Sequence, residues 1–256
     1  MSDIPALTQK ALYRRQPKAL IITMINDHAS TVGARRCIQS IKNTESFLTP
    51  LLMDATTPST LVRDLDTFGF NLLDWSYPKS PAETVLHSSG MKLTGYRATD
   101  YTKVAACLVS HMRAWRFCVE IKEAIVVLEH DALFTRTFDI MNILRGERGF
   151  DGGVLGLNDP RGATRKSALY HERVVETALN GIAPAPWIDD ESIPQGIAGN
   201  SAYIIKPEAA QHLLYQLSTV GLWPNDALMC KQFFPWLEQA YPYYTTLQGT
   251  PSTTTS

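Results

Sequence analysis

Two carboxylates stand two residues apart in Glu129-His130-Asp131, directly after the apolar run Ala124-Ile125-Val126-Val127-Leu128. On an extended segment such a pair can bracket a divalent cation together with the diphosphate that the cation bridges. Hard oxygen ligands of this kind suit Mg²⁺ or Mn²⁺. Polar residues also follow apolar runs at Asn26-Asp27-His28 and at Asp54, and in open α/β sheets ligands bind beyond the carboxyl ends of the strands. Taken alone, Glu129-His130-Asp131 also reads as a polar strand end capping the next helix. Ser110-His111 invites a hydrolase reading, but adjacent helical residues point about 100° apart and cannot pair as nucleophile and base. Cys37, Cys107, Cys118 and Cys230 include no C-x-x-C pair. They predict buried thiols in a reducing compartment, neither a zinc knuckle nor a disulfide scaffold.

The elements that must position these residues follow from the pattern around them. Residues 19–24 predict a strand, apolar throughout because both its faces are covered. A helix over 31–42 and a second strand over 48–53 come next, closed by the turn residues Asp54-Ala55-Thr56-Thr57-Pro58. Residues 56–98 predict irregular loops. Val104, Cys107, Leu108, His111, Trp115, Cys118 and Val119 recur at helical spacing, with Thr99, Asp100 and Thr102 as caps before them.

The β-branched run 124–128 predicts a central strand, and 153–157 another, followed by the turn Asn158-Asp159-Pro160-Arg161-Gly162. Residues 160–200 predict a long surface loop able to fold over a substrate. A strand over 201–205 leads into a helix begun by Lys206-Pro207-Glu208, with proline at a tolerated first-turn position. Trp223-Pro224-Asn225-Asp226 precedes a second short helix through Phe234.

This alternation predicts an α/β fold, with a mostly parallel central sheet flanked by helices. The 256 residues suffice for one such domain over 1–256, with loose ends at 1–17 and 250–256. Hydrophobic residues at 45% and charged residues at 19% exclude extensive disorder. A formal charge of -1 gives no global field drawing the chain to nucleic acid or anionic lipid. The first apolar run is far shorter than the ~20 residues of a membrane span, which predicts no membrane span and a cytoplasmic protein, in a bacterium or an infected cell.

Four segments, in order, carry a resemblance. Cys107-Leu108-Val109-Ser110-His111-Met112-Arg113-Ala114-Trp115 and Ala124 to Asp131 are similar to the core signature of glycosyltransferase family 25. That family includes lipopolysaccharide sugar transferases and collagen galactosyltransferases. Gly199-Asn200-Ser201-Ala202-Tyr203 resembles its Gly-Thr-x-Ala-Tyr strand, and Pro224-Asn225-Asp226 its Pro-x-Asp turn. His130 replaces the family's middle acid, and Thr102-Lys103 and Ala106-Cys107 stand where Gly-Glu and Gly-Cys are common. The turn 158–162, residues 224–232 and the Ser/Thr tail resemble a branch of this family carried by tailed bacteriophages.

The resemblance implies a GT-A-like nucleotide-sugar-binding fold, a UDP-sugar as the usual donor, and inversion. It implies Asp131 as ligand of Mn²⁺ or Mg²⁺, with Glu129 as a direct or water-mediated second. A carboxylate within reach of the acceptor hydroxyl must take its proton; Asp226 is the first choice and Asp159 the reserve, their other readings being a helix N-cap and a turn aspartate. Thr23, Asn26, Arg36, Asp54, Lys103, Glu129, His130, Asn200 and Ser201 are the expected donor contacts. The acceptor is a glycan such as lipopolysaccharide or, alternatively, a 5-hydroxymethylpyrimidine in DNA. In the second case Lys92, Arg97, Lys103, Arg161, Arg165 and Lys166 would form one basic rim near Trp187 or Tyr96. A third reading is a non-catalytic sugar-binding module. Sugar, linkage and oligomeric state stay open.

Overall fold

The computed structural model describes residues 16–98, 100–144, 150–161, 166–178 and 181–249. The expected loose ends lie outside them, apart from residues 16 and 17. The chain enters β1 (Lys18–Thr23) and then α1 (His28–Asn43), which opens on Asp27, whose carboxylate accepts from the Ser30 amide at 2.7 Å. β2 (Thr49–Asp54) returns parallel to β1. Residues 56–98, expected as irregular, instead hold α2 (Leu61–Asp66), a 3₁₀ turn at Leu72–Asp74 and a hairpin of β3 (Thr84–Leu86) and β4 (Lys92–Thr94). Pieces of three to six residues are too short to show a period, so tertiary contacts rather than pattern specify them.

α3 (Tyr101–Ile121) starts on Asp100, which accepts from the Thr102 amide; Thr99 lies outside the described residues. It leads to β5 (Ile125–Glu129), then β6 (Ala132–Phe134), α4 (Ile140–Leu144) and β7 (Val154–Gly156). The expected loop over 160–200 is interrupted by α5 (Ser167–Thr177) and β8 (Ile182–Pro184). β9 (Ala202–Ile205) precedes α6 (Pro207–Val220) and α7 (Asn225–Leu228), which stops well short of Phe234. β10 (Leu237–Ala240) and β11 (Thr245–Leu247) close the described chain.

The main sheet has seven strands in the order β2-β1-β5-β9-β7-β10-β8. β2, β1, β5, β7 and β10 share one direction, while β9 and β8 run against them. The architecture is therefore a mixed α/β sheet, mostly parallel and flanked by helices. Its continuous apolar strands serve two cores. Leu20, Ile22, Ile125 and Val127 pack towards α3 and α6, whereas Ala19, Ile21, Val126 and Leu128 pack towards Ala34, Cys37 and Ile41 of α1. Each buried leucine, isoleucine or valine among them contributes about 1.5–3 kcal/mol on burial. Among the described residues no helix is long and apolar enough to cross a membrane.

The segment that carries Asp226 is tied down by one glycine. Gly221 sits at φ +84°, and a Cβ there would meet the Ser76 Oγ at 2.6 Å and the Asp74 carbonyl oxygen at 2.7 Å. Gly221→Ala is expected to cost ~1–3 kcal/mol from the backbone conformation alone, with the close contacts adding to it. Thermal denaturation checks this, at roughly 2–4 °C per kcal/mol for a chain of this size; an unshifted midpoint would show that the segment yields freely.

Candidate active site

Strand register collects the polar residues at one edge. β1, β2 and β5 end side by side, Ile22 beside Glu129 and Thr23 beside Asp54. β9 runs the other way, so its start lies where the others end, and the Glu129 amide donates to the Ser201 carbonyl at 2.8 Å. Thr23, Asp54, Glu129, His130, Asp131, Asn200 and Ser201 thus share the carboxyl edge of the sheet, with exposed Asn26 in the turn after β1. The Thr23 hydroxyl is buried and donates to the Ile21 carbonyl. Asp54 is exposed; its carboxylate accepts from the Ile25 amide at 3.4 Å, and its carbonyl from Arg113 at 2.8 Å. Arg36 is exposed on α1, and Lys103 lies partly buried in the first turn of α3.

Glu129 is held by a buried chain of hydrogen bonds. The Trp115 indole donates to the Tyr203 hydroxyl at 2.8 Å, that hydroxyl lies 2.8 Å from His111 Nδ1, and His111 Nε2 lies 3.3 Å from Glu129 Oε1. With its lone pair engaged by Trp115, Tyr203 has its own hydrogen free for Nδ1, which leaves Nε2–H to donate to Glu129. Burial works to raise the Glu129 carboxyl, but the hydrogen bond from His111, with the electrostatic pull of the His111 and His130 rings adding, holds it below its ordinary value. His111 therefore orients a strand-end acid. Ser110 is occupied elsewhere, donating to the Ala106 carbonyl and accepting from the Thr56 amide.

Asp131 is in the opposite condition. Burial, with the charge of Glu129 beside it, pushes its carboxyl up to about 7. Its Oδ1 is shut off from solvent and has no hydrogen-bond partner, and the same is true of both side-chain polar atoms of Asn200 and of Ser201 Oγ. Buried polar groups are ordinarily paired, and a cation is what two adjacent carboxylates lack. The pair fits Mg²⁺ or Mn²⁺, which take hard oxygen ligands. Cys107 Sγ, His111 and Glu129 also offer ligand atoms within 4.8 Å of one another. Both His111 nitrogens are already engaged, however, and burial pushes the Cys107 thiol far up. That softer set suits Mg²⁺ or Mn²⁺ less well than the carboxylates do.

Two contacts fix the segment. Gln248 donates from Nε2 to the carbonyls of Gly33, His130 and Ala132, and its amide to the Asp131 carbonyl at 2.9 Å. Helix α1 approaches closely at Gly33, where a Cβ would come within 3.0 Å of both His130 Cδ2 and the His130 carbonyl oxygen.

Asp226, in the first turn of α7, belongs to the same neighbourhood. Burial pushes its carboxyl up and the charge of Glu129 adds to this, against the hydrogen bond from Tyr96. The Tyr96 hydroxyl donates to Asp226 Oδ1 at 2.5 Å, which also accepts from the Ala227 amide at 3.1 Å. Cys107 stands between the groups: after burial, Glu129, Asp226 and Asp131 each raise its thiol, and its Sγ lies 3.7 Å from Asn225 Oδ1. Tyr96→Phe is expected to raise the Asp226 carboxyl further, because the lost hydrogen bond favours the charged form. If Asp226 acts as a base, the acidic limb of kcat/KM moves to higher pH; an unmoved limb would mean that another group sets it.

Asp159 is committed elsewhere. Arg161 grips it through Nε at 3.0 and 3.2 Å and through Nη2 at 2.6 Å, and these bonds hold its carboxyl below the ordinary range despite its burial. Of the proposed basic rim, Arg161 is thereby paired, Lys166 pairs with Asp189, and Lys92 lies near Asp190. Arg165 lies outside the described residues. Trp187 is exposed with Lys231 over its ring, while Tyr96 is turned onto Asp226. Tyr96 was expected only as an aromatic beside a basic rim, and Cys107 only as the start of the helix segment that carries the resemblance; neither was expected to contact these acids, and Gln248 was not expected here at all.

No protein-family model matches the sequence, and no curated protein sequence matches it. Among solved structures the chain is similar to mouse xyloside xylosyltransferase 1 in its apo form. That likeness has 12% identity and a TM-score of 0.43, over 86% of this chain and 83% of that one. It is also similar to the apo form of the glycosyltransferase GlyE of Streptococcus pneumoniae TIGR4, with 11% identity and a TM-score of 0.37, over 91% of this chain and 45% of that one.

Proposed function

We propose that the chain is a metal-dependent glycosyltransferase of the GT-A type. It moves a sugar from a nucleotide-sugar donor, a UDP-sugar, to a glycan hydroxyl with inversion. The observation that carries this is the unpartnered, solvent-excluded Oδ1 of Asp131 beside Glu129 at the end of a central strand. Asp131 would hold Mn²⁺ or Mg²⁺, with Glu129 ligating directly or through water. When bound, the ion neutralises charge on the departing diphosphate as a Lewis acid.

The remaining duties fall to the chain's own groups. Asp54 and Asn26, exposed at the strand edge, face the nucleoside side of the donor; Arg36 and Lys103 supply positive charge for phosphates. Asn200 and Ser201 offer unpaired polar atoms to the donor, and Thr23 and His130 shape its bed. Asp226 takes the proton of the acceptor hydroxyl as that oxygen bonds to the anomeric carbon and the carbon–phosphate-oxygen bond breaks. A carboxyl raised above its ordinary range is a better base near neutral pH than the Arg161-bound Asp159.

The segments resembling family 25 support placement there, and the bacteriophage-like segments support a branch acting in the cytoplasm of an infected bacterium. The pairing of Arg161 and Lys166 with acids favours a glycan over DNA as acceptor. A thermal-shift screen of UDP-sugars with Mn²⁺ tests the donor, since a ligand at a hundred times its dissociation constant stabilises by ~2.7 kcal/mol. A panel that shifts nothing would defeat the assignment.

A further inference from the structure

The opposite edge of the sheet carries a groove in which none of the transfer residues lies. It sits where β7 and β10 begin and β9 ends. Ser201 and Lys206 flank β9 at its two ends, which puts about 17 Å of strand between this groove and the carboxylates of the transfer centre. Asp151, Gly153, Lys206, Glu208, His212 and Trp236 are in its lining, around about 320 Å³ of open space. Sites for small ligands usually span roughly 300–1,000 Å³, so the groove has room for one.

Its parts are fixed from behind. The Gly152 amide donates to Glu238 Oε2 at 2.9 Å, and the Lys206 amide to the Gly153 carbonyl at 2.9 Å. A Cβ on Gly153 would come within 2.7 Å of Trp236 Cζ3, so only bare backbone lets the indole edge rest there. Phe234 packs against the same indole with ring centroids 5.1 Å apart, and His212 lies 6.3 Å from it. Lys206 donates to the Phe150 carbonyl at 3.4 Å, its ammonium 4.2 Å over the Phe150 ring centroid, and further ammonium hydrogens remain for a ligand. Asp151, Glu208 and His212 are exposed, and Trp236 is half-buried.

This lining selects a class of ligand. An anion would meet the carboxylates of Asp151 and Glu208, and an apolar molecule would strip them of water without replacing its hydrogen bonds. A guanidinium could pair with both acids but would share the groove with the Lys206 ammonium. A neutral polyol ring satisfies every group: its hydroxyls donate to the carboxylates and accept from Lys206, and its C–H face covers the Trp236 indole. Resting on the glycosyl-transfer reading, we infer that the groove is a second carbohydrate-binding site, which holds a sugar unit of the glycan acceptor away from the transfer centre. Tethering a long glycan there raises its effective concentration where transfer occurs.

The test is ¹H–¹⁵N NMR of the tryptophan indoles in the full chain, the Trp236 signal being identified by its loss in Trp236→Leu. The probes are maltotriose, cellotriose and mannotriose, with acetyl-arginine amide and UDP added separately. At least one trisaccharide should shift the Trp236 signal with neither UDP nor Mn²⁺ present. Asp151→Asn should weaken that binding roughly three- to tenfold while melting near the parent. It should raise the KM of an oligosaccharide acceptor about as much, with kcat and the KM of the UDP-sugar parental. A Trp236 signal that no trisaccharide moves, unchanged binding or acceptor KM in Asp151→Asn, a response to acetyl-arginine amide alone, or displacement of the saccharide by UDP would each overturn the assignment. Trisaccharide binding at Trp236 in a protein that accepts no UDP-sugar would sink the transferase reading while leaving the carbohydrate site standing.

Discussion

Asp131→Asn should reduce transfer by at least ~10²- to 10³-fold, the scale on which losing one preorganised electrostatic contact acts. The substitution keeps shape and volume and removes the charge that a divalent ion needs. Folding should survive, and the sign of its pH dependence is specific. The folded carboxyl titrates at about 7, above the ~3.9 of an unfolded chain. Its contribution to stability is therefore fully present below about pH 4 and is lost as pH rises through about 7. Metal-free parent should lose melting temperature over that window, Mn²⁺ should restore it at pH 8, and the asparagine variant should show neither effect. Near-parental transfer in a folded variant would make Asp131 a strand-end residue only.

Asp226→Asn should lower the rate by ~10²- to 10⁴-fold, the usual contribution of a positioned base. The amide oxygen can still accept from Tyr96 and from the Ala227 amide, so the fold should hold and calorimetric binding of UDP with Mn²⁺ should stay parental. That division, rate lost and donor kept, separates a base from a ligand. Equal loss of donor affinity would place Asp226 on the donor side, and an unchanged rate would return it to helix capping.

The legible parts of the fold were those whose sequence period is long or unmixed. β1 and β5 are covered on both faces and so are apolar throughout, and α3 shows its buried stripe over five turns. β8 and β10 are three and four residues long and take their shape from the strands beside them. They leave no periodic mark in the chain. The site divides in the same way. The strand-end position of Glu129 and Asp131 was legible because polar residues close an apolar run, and the helix-start position of Asp226 because its Pro-Asn-Asp turn precedes a helix. The bonds of Tyr96 to Asp226 and of Gln248 to the His130 carbonyl were not legible, because the partners lie 130 and 118 residues apart. Asp159 sat in a readable turn, but its neutralisation by Arg161 depends on side-chain geometry that no spacing announces.

Anomalous diffraction at the manganese edge, from crystals soaked with Mn²⁺ and UDP, tests the central claim most directly. A single peak bonded to an Asp131 carboxylate oxygen, with Glu129 as direct or water-mediated neighbour and the UDP diphosphate on its far side, is the expected result. A peak held instead by Cys107 and His111, or UDP bound with no ion at Asp131, would contradict it.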